Sequence, residues 1–461
     1  MVLRLLCPFL FISLLSGCGF QRSLPLPFVK SITEDDEARI SREFRREAKK
    51  KLELVHHPEV KTFINRVGRR ILSVMGPQPF EYRFFVVEDP QLNAFAVPGG
   101  SIYVHTGLIE RVNSTDELAG VLGHEIIHVK SRHMARISGP DPVSLLGLLG
   151  VFLASGGSQA QAVGALSQGL AAARQLSYNR KLEQEADTLG VRYMAEAGYD
   201  PRGALSFLKL IDQERILNPV DLPPYLLTHP LTQERIGSVR MVVRSLGAQH
   251  RMTKRPDPIK RVQLILRLEK KEVDGVIDEH KKLVSQYPER AVPKHLLGMA
   301  YHYKGKWVEA RENYQEARAL NPNIPGIDRD LARLYTQTGE FRLAHEAFKR
   351  SLLAEPEEAL TYLFLGELFE KESQFGEAAR AYLRAHNLSP LWSEPPRRMG
   401  VVYGKMNRLG DAYYYLGRSH LLADEDEKAI AALERALEIF GPASPRGQIV
   451  KDEIEVIKGR N

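Results

Sequence analysis

Two histidines and a glutamate stand at a spacing that suits metal-dependent hydrolysis. Residues 124–128 read His124-Glu125-Ile126-Ile127-His128. On a helix, residues four apart share one face, so both imidazoles can bind a single metal ion while Glu125 lies beside the water on that ion. A catalytic zinc site takes three protein ligands and keeps one position for water. The pentapeptide therefore predicts two zinc ligands and a general base, and it requires a third ligand from elsewhere.

The pentapeptide lies in a segment with the boundaries of a helix. Ser114 and Glu117 have the spacing of a capping box, and Gly139-Pro140 is a stop signal. Apolar residues between them cover more than one face, which predicts a helix enclosed by protein. Buried imidazoles and carboxylates need partners, which argues against incidental polar residues and favours a built site.

Residues 178–187 offer the missing ligand. Glu183 and Asp187 are four apart and share a helical face, whereas Glu185 lies on nearly the opposite side. We expect Glu183 to be the third zinc ligand. Asp187 would accept the free N–H of a zinc-bound histidine and so fix its tautomer. The alternative is an acidic helix start in solvent, placed favourably in the helix dipole.

A hairpin pattern precedes the metal helix. Residues 94–97 and 101–104 alternate on either side of the turn Pro98-Gly99-Gly100. If its outer strand is an exposed edge, an unfolded polypeptide can add to it through main-chain hydrogen bonds. An ordinary core hairpin is the alternative, and Asn93 receives no catalytic role.

Several blocks in a fixed order carry a family resemblance. They are His124-Glu125-x-x-His128 with Arg132-His133, Glu183-x-Glu185-Ala186-Asp187, Ala197-Gly198-Tyr199-Asp200-Pro201, residues 93–104, and Leu227-Thr228-His229-Pro230 with Arg235-Ile236. Together they resemble the BepA-like, HtpX-related gluzincin metalloproteases over residues 31 to 245. The resemblance implies one Zn2+ per chain and a peptide-bond hydrolase. It also implies that His229 lies near the metal.

We favour an active-site role for His229 over a structural one, without choosing between two active-site roles. It could donate to the developing oxyanion, fill the open zinc position in a resting enzyme, or be a satisfied structural histidine. The expected mechanism has zinc on His124, His128 and Glu183, with bound water at a pKa of about 7. Glu125 takes the proton of that water and later passes it to the leaving amine.

The N-terminus resembles a bacterial lipoprotein signal. Arg4 precedes an apolar run, which ends in Leu15-Ser16-Gly17-Cys18. The resemblance implies lipidation of Cys18, and Gly19 after it implies the periplasmic face of the outer membrane in a two-membrane bacterium. A plain secretory signal or a short anchor is the alternative, although the run is too short to span a bilayer comfortably. Cys7 is the second cysteine, so the mature chain would have no disulfide.

Residues 140–176 separate the second histidine from Glu183. Their apolar part is interrupted by Ser155-Gly156-Gly157-Ser158, and it is shorter than the ~20 residues of a membrane span. The small-residue composition favours a lid or an apolar contact with substrate. A packed helical hairpin is the alternative.

The C-terminal half has a period of 34 residues. The period appears in four columns, among them Tyr301, Tyr335, Phe369 and Tyr403, and Ala310, Ala344, Ala378 and Ala412. This period identifies tetratricopeptide repeats, which stack helix pairs into a surface for extended peptides or partner proteins. The pattern resumes at Ala429 half a repeat out of step. We interpret this offset as an inserted or shared helix.

Composition is compatible with two packed domains. The chain has 461 residues, 43% of them hydrophobic, and a net charge of +7. No nucleic-acid motif accompanies this mild charge, so no nucleic-acid partner is expected. The predicted parts are a signal at 1–17, a tether at 18–30, a zinc metalloprotease domain at 31–246, a linker at 247–261 and a repeat domain at 262–461.

The predicted fold class is α+β. A mainly helical gluzincin domain with a small β-sheet precedes an all-α repeat solenoid. By resemblance, the expected function is a lipid-anchored zinc endopeptidase of the periplasm that degrades misfolded or misassembled outer-membrane proteins and assists their assembly. Its repeats would bind such proteins or the outer-membrane assembly machinery. The alternative is a chaperone or assembly scaffold that acts mainly through its repeats, with proteolysis secondary.

Overall fold

The computed structural model describes residues 32–137, 180–220, 222–247 and 257–459. The proposed signal and tether of residues 1–30, including Cys18, and the segment 140–176 lie outside the described residues. Among the described helices, none combines the length and the apolar character that a membrane crossing requires.

The N-terminal unit is α+β and mainly helical, as predicted. Its elements are α1 (Glu34–Lys51), α2 (Pro58–Leu72), β1 (Arg83–Val87), β2 (Ala94–Val97), β3 (Ser101–His105), α3 (Thr106–Arg111), α4 (Thr115–Lys130), α5 (His133–Ile137), α6 (Arg180–Glu196), α7 (Arg202–Leu217), α8 (Pro224–Thr228) and α9 (Gln233–Gly247).

The sheet has three strands in the order β1-β3-β2. Strands β2 and β3 form the predicted antiparallel hairpin, and β1 runs parallel to β3. The hairpin turn requires glycine, because Gly99 and Gly100 have φ values of 83° and 106°. Strand β2 therefore lies at one edge of the sheet. Strand β1 forms the other edge and is bridged at Val87 to Leu54.

Helix α4 carries the pentapeptide and is enclosed by protein, as predicted. At its start the Ser114 hydroxyl accepts the Glu117 N–H at 3.2 Å, and the Glu117 carboxylate accepts the Asn113 N–H at 2.7 Å. The helix ends at Lys130, so the stop predicted at Gly139-Pro140 is wrong. Arg132 adopts a left-handed conformation with φ of 52°, and its guanidinium donates to Glu37 at 3.1 Å. That local turn ends the helix.

The C-terminal unit is all α. Its helices are α10 (Ile259–Glu269), α11 (Val273–Gln286), α12 (Ala291–Tyr303), α13 (Trp307–Leu320), α14 (Ile327–Thr338), α15 (Phe341–Ala354), α16 (Ala359–Lys371), α17 (Phe375–Leu388), α18 (Glu394–Lys405), α19 (Leu409–Leu422), α20 (Asp426–Phe440) and α21 (Pro445–Lys458). Helix α10 begins inside the segment assigned to the linker. Helix α19 packs against both α18 and α20.

The two units share one hydrophobic core. A continuous cluster of buried side chains includes Val60 and Phe63 of α2 together with Val262 and Leu266 of α10. Close by, the Gln263 amide donates to the backbone carbonyls of Ile109 at 2.9 Å and Val112 at 2.8 Å. The repeats therefore complete the interior of the N-terminal unit.

Buried charges join the units at the same place. Arg261 of α10 donates to Glu59 of α2 at 2.8 Å and to Asp330 of α14 at 2.8 Å, and Arg329 also contacts Glu59. A second junction lies further along the chain, where Arg45 of α1 binds Asp424 at 2.7 Å. Arg66 of α2 also pairs with Glu358, so the repeats hold the N-terminal unit at several separate points.

Candidate metal centre

Two glycines set the distance between the helices that carry the predicted ligands. Gly123 of α4 faces Gly190 of α6, and a Cβ built on Gly190 would lie 2.9 Å from both Gly123 C and His124 N. Real Cβ atoms do not approach backbone that closely, so neither position has room for a side chain without a shift of the helices. This contact places the histidines of α4 opposite the carboxylates of α6.

Four side chains converge where the helices cross. His124, His128, Glu183 and His229 each direct one ligand atom inward, and these atoms all lie within 4.8 Å of one another. The Nε2 atoms of His124 and His128 are 3.0 Å apart, and the Glu183 carboxylate lies 3.5 Å and 3.3 Å from them. The structure thus brings the three predicted ligands together and adds His229 to them.

The donor set fits a zinc ion. Imidazole nitrogen and carboxylate oxygen are ligands that zinc accepts in catalytic sites. Burial opposes protonation of His124, but hydrogen bonds to Asp187 and Glu183 outweigh burial and raise its pKa to about 10. The same negative surroundings favour a bound cation. Glu125 is 1% exposed, and its Oε1 has no hydrogen-bond partner among the described residues, so an acceptor remains free beside the four ligand atoms.

Asp187 lies behind the first histidine. Its Oδ1 is 3.0 Å from His124 Nδ1, which leaves His124 Nε2 to face the other ligands. Arg235 of α9 holds Asp187 through two hydrogen bonds of 2.7 Å and 2.9 Å and lies 3.0 Å from Glu183. Burial disfavours the charged form of Asp187, but Arg235 outweighs burial and lowers the pKa of Asp187 to about 2. The family motif includes Arg235, but sequence reasoning gave it no role.

Glu125 has the setting of a general base. Burial raises the pKa of its carboxyl to about 7, and a base works best when its pKa is near the working pH. The nearest cationic or imidazole nitrogen is His229 Nε2, at 3.4 Å from Glu125 Oε1.

His229 follows α8 and is held on several sides. Its N–H donates to Tyr225 O at 2.8 Å, its ring lies 4.8 Å from the Tyr225 ring, and its carbonyl accepts from Arg235 at 3.2 Å. Its Nδ1 is 3.2 Å from both His124 Nε2 and Glu183 Oε2. The ring nitrogen therefore stands among the ligand atoms.

A further histidine contacts His128 from behind. The Nδ1 atoms of His128 and His133 are 3.0 Å apart, and His133 Nε2 is 3.5 Å from Glu185 Oε2. The Ser131 hydroxyl donates to the other Glu185 oxygen at 2.6 Å. Sequence reasoning gave neither His133 nor Glu185 a role. The signal was His133 itself, five residues after His128 and just beyond the helix end.

The edge of the sheet lies beside the same centre. Ala96 and Val97 of β2, with Pro98, line a narrow cleft that His128 and Arg132 also line. Because β2 pairs only with β3 in the sheet, its other side has no strand partner among the described elements. An extended chain on that edge would run past His128.

Comparison with known families supports this arrangement. Residues 57–243 match the family described as Peptidase family M48, and residues 293–324 and 329–390 match tetratricopeptide repeats. Residues 378–440 also match a family described as an Est1 DNA/RNA binding domain, and this match overlaps the second repeat match.

Curated relatives are similar to the N-terminal part of the chain. The beta-barrel assembly-enhancing protease of Yersinia pestis is 33% identical over 217 residues, which cover 46% of this chain and 44% of that protein. The protein of the same name from Escherichia coli K12 is 34% identical over 194 residues, with 41% and 39% covered. The mitochondrial metalloendopeptidase OMA1 of Schizosaccharomyces pombe is 33% identical over 186 residues, with 40% and 53% covered. The chain thus spans about half the length of these relatives or less.

Proposed function

Since the chain contains a peptidase family M48 domain followed by tetratricopeptide repeats, we propose that it is a zinc-dependent endopeptidase of the bacterial periplasm. Its substrates are unfolded or misassembled outer-membrane proteins, and it assists their assembly. The observation that carries this proposal is the convergence of four ligand atoms within 4.8 Å beside Glu125, a buried carboxylate with an unsatisfied oxygen.

Each residue of the centre has a task in peptide hydrolysis. His124, His128 and Glu183 hold the zinc ion, which when bound supplies a Lewis acid for the peptide carbonyl and for water. Glu125 takes a proton at its Oε1 and delivers it to the leaving amine. Asp187 and Arg235 keep the proton of His124 on Nδ1, so Nε2 stays available.

His229 is the residue that closes the resting site. Its Nδ1 lies 3.2 Å from His124 Nε2 and Glu183 Oε2, among the atoms that would hold the metal. This position among the possible metal-binding atoms is what supports the closing role over the oxyanion and structural roles. Cleavage therefore requires His229 to leave this position and admit water and substrate.

Substrate selection rests on the main chain. Strand β2 offers an unpaired edge beside His128, and a polypeptide added to this edge is held through its backbone. Such binding is broad in sequence but needs an extended, unfolded segment. Folded proteins are therefore excluded, and misassembled ones are accepted.

The envelope location rests on the N-terminal sequence and on the relatives. Cys18 follows a lipoprotein-type signal, so the chain is anchored at the inner face of the outer membrane. Relatives named beta-barrel assembly-enhancing protease support outer-membrane β-barrel proteins as the substrate class. The repeats provide the contact surface for these proteins and for their assembly machinery.

The test is the variant Glu125→Gln. Its amide cannot accept a proton, so cleavage of an unfolded outer-membrane protein should fall by about 10²–10⁴-fold while the zinc content stays at one per chain. The matched control is Glu196→Gln, which changes an exposed glutamate on α6 and should leave both readouts unchanged. Retained cleavage by Glu125→Gln would overturn the assignment.

A scaffold role through the repeats remains the second candidate, favoured by the shared core of the two units. Removing the repeats is a poor test, because it would expose the apolar surface between α2 and α10. The full chain with Glu125→Gln is the better probe in a cell-envelope assay. If this variant restores outer-membrane assembly completely in cells that lack the protein, the scaffold role is the main one.

A further inference from the structure

A cavity of 430 Å³ lies between the two units, on the face formed by α1, β1 and α2. Its other wall comes from two repeat loops, residues 389–393 and 422–425. The volume is within the range of ligand sites in proteins. None of the residues at the metal centre lines it, so this cavity is a separate site.

The cavity contains unpaired positive charge. Lys49 and Lys61 line it, and neither ammonium group has an ion-pair or hydrogen-bond partner in the described part of the chain. Two acidic residues also line the cavity, but both are already paired. Asp424 binds Arg45 at 2.7 Å, and Glu425 binds His420 at 2.6 Å. Both carboxylates attract Lys49 electrostatically, but neither forms an ion pair with it, so the two ammonium groups are available to an anionic group of a ligand.

The remaining walls suit a peptide. Trp392, which is 6% exposed, and Leu391 contribute apolar surface. The cavity also contains the outer edge of β1. In the parallel register with β3, the backbone groups of Phe84 and Val86 face away from β3. Phe84 O accepts from the Asn65 amide at 3.3 Å and Val86 O accepts from Val55 N–H at 2.9 Å, which leaves the Phe84 N–H without a hydrogen-bond partner among the described residues. An open main-chain N–H, an aromatic side chain and two lysines are thus available together.

We propose that this cavity is a docking site for an acidic peptide segment. A carboxylate of the peptide binds Lys49 and Lys61, and an apolar side chain of the peptide packs against Trp392. A lipid is the poorer occupant, because an acyl chain needs walls that are apolar throughout, whereas polar side chains such as Thr62 and Asn65 line this cavity. The segment would touch both units at once, so a partner bound at the repeats is also held by the peptidase domain. The proposal does not depend on whether the metal centre cleaves peptides.

Trp392 is a built-in reporter. The chain has two tryptophans, and Trp307→Phe leaves Trp392 as the only one. The full chain with Trp307→Phe and Glu125→Gln is titrated with an acetylated and amidated hexapeptide that alternates Asp with Leu. We expect a saturable change in Trp392 emission. The same peptide with Asn in place of Asp should bind about tenfold more weakly, because it lacks the charge-assisted hydrogen bonds.

Lys61→Gln should lower the affinity for the Asp peptide by a similar factor. The control is Lys349→Gln, which changes an exposed lysine of α15 and should leave the affinity unchanged. The midpoint of thermal unfolding shows whether the Lys61→Gln variant is folded. If it is not, the Lys49→Gln variant is used in its place. Equal affinity for the Asp and Asn peptides, or an unchanged affinity in the lysine variant, overturns the proposal. A response to inorganic phosphate or to phosphatidylglycerol vesicles without one to the peptide also overturns it.

Discussion

The Nδ1 atoms of His128 and His133 lie 3.0 Å apart, and this contact determines which nitrogen of His128 is free. One of the two atoms must donate, because two bare ring nitrogens would repel. If His128 binds a metal through Nε2, its proton is on Nδ1 and His133 accepts it. The proton of His133 is then on Nε2, which faces Glu185 at 3.5 Å. This relay holds the proton of His128 on Nδ1 and leaves Nε2 available, as Asp187 does for His124.

The first prediction follows from this relay. His133→Ala should lower zinc affinity by roughly 10–100-fold, because His128 loses the acceptor that orients it. His133→Asn should retain most of the affinity, since its amide oxygen can accept the same proton. Competition with a chromophoric chelator measures both values. Equal zinc affinity in His133→Ala and the unmodified protein would show that His133 only fills space.

His229→Ala separates closure from catalysis. Suppose that His229 closes the resting site and that only about 1–10% of the molecules are open at any time. Removing His229 should then raise the rate of proteolysis by roughly 10–100-fold, because every molecule becomes open. An oxyanion donor predicts the opposite, a loss of about 10²–10³-fold. Initial rates on an unfolded outer-membrane protein are compared at equal zinc content, which must be measured for each sample. A fall in rate with full zinc occupancy would rule out the closing role.

The approach of α4 to α6 gives a third prediction. Gly190→Ala places a Cβ 2.9 Å from the backbone of Gly123 and His124. The helices must separate, so the free energy of unfolding should fall by about 1–3 kcal/mol and zinc should bind more weakly.

Gly237→Ala is the matched control for this change. Gly237 is also within a helix, α9, but a Cβ there meets nothing within 4 Å. Replacing a helical glycine with alanine in open space should stabilise the protein by about 0.5–1 kcal/mol. Urea unfolding of the zinc-loaded variants measures both effects. If the two variants behave alike, the close helix contact does not position the site.

The site residues could be predicted from the sequence because their spacing is local. His124 and His128, and likewise Glu183 and Asp187, share helical faces by their separation of four, and the order of the family blocks linked these pairs to His229. The role of Glu185 was not accessible. It depends on the left-handed turn at Arg132, which brings His133 of α5 back towards His128, and the contact that holds Arg132 comes from Glu37 in α1.

The repeat period predicted only part of the C-terminal unit's packing. It predicts that the helix pairs stack on one another, but it does not say what covers the first pair. In the structure α10 packs on α2, and Arg261 lies between Glu59 and Asp330. An arginine among the apolar residues of the first repeat helix was the available signal of this junction. Its partners could not be identified, because they lie 202 and 69 residues away in the sequence. Such distant pairings are not encoded by any local pattern.

The buried charges at this junction give a prediction about pH. Burial disfavours the Glu59 carboxylate, but Arg261 and Arg329 outweigh burial and lower the pKa of Glu59 to about 2. An unfolded glutamate has a pKa of about 4.3. Because the folded value is the lower one, the carboxylate stabilises the fold above about pH 4.3, and this contribution is lost as the pH falls towards 2.

Glu59→Gln should therefore reduce the free energy of unfolding by about 3 kcal/mol at pH 7. The difference from the unmodified protein should shrink steadily between pH 4.5 and pH 2, because acid then neutralises the carboxylate in the unmodified protein as well. Glu346→Gln, which removes an exposed ion pair with Arg342, should show a small difference at every pH. Urea unfolding at pH 7, 5, 4 and 3 provides the measurement. A difference for Glu59→Gln that stays constant from pH 7 to pH 3 would mean that the carboxylate is not held ionised by Arg261 and Arg329, and the junction would then depend on its apolar contacts alone.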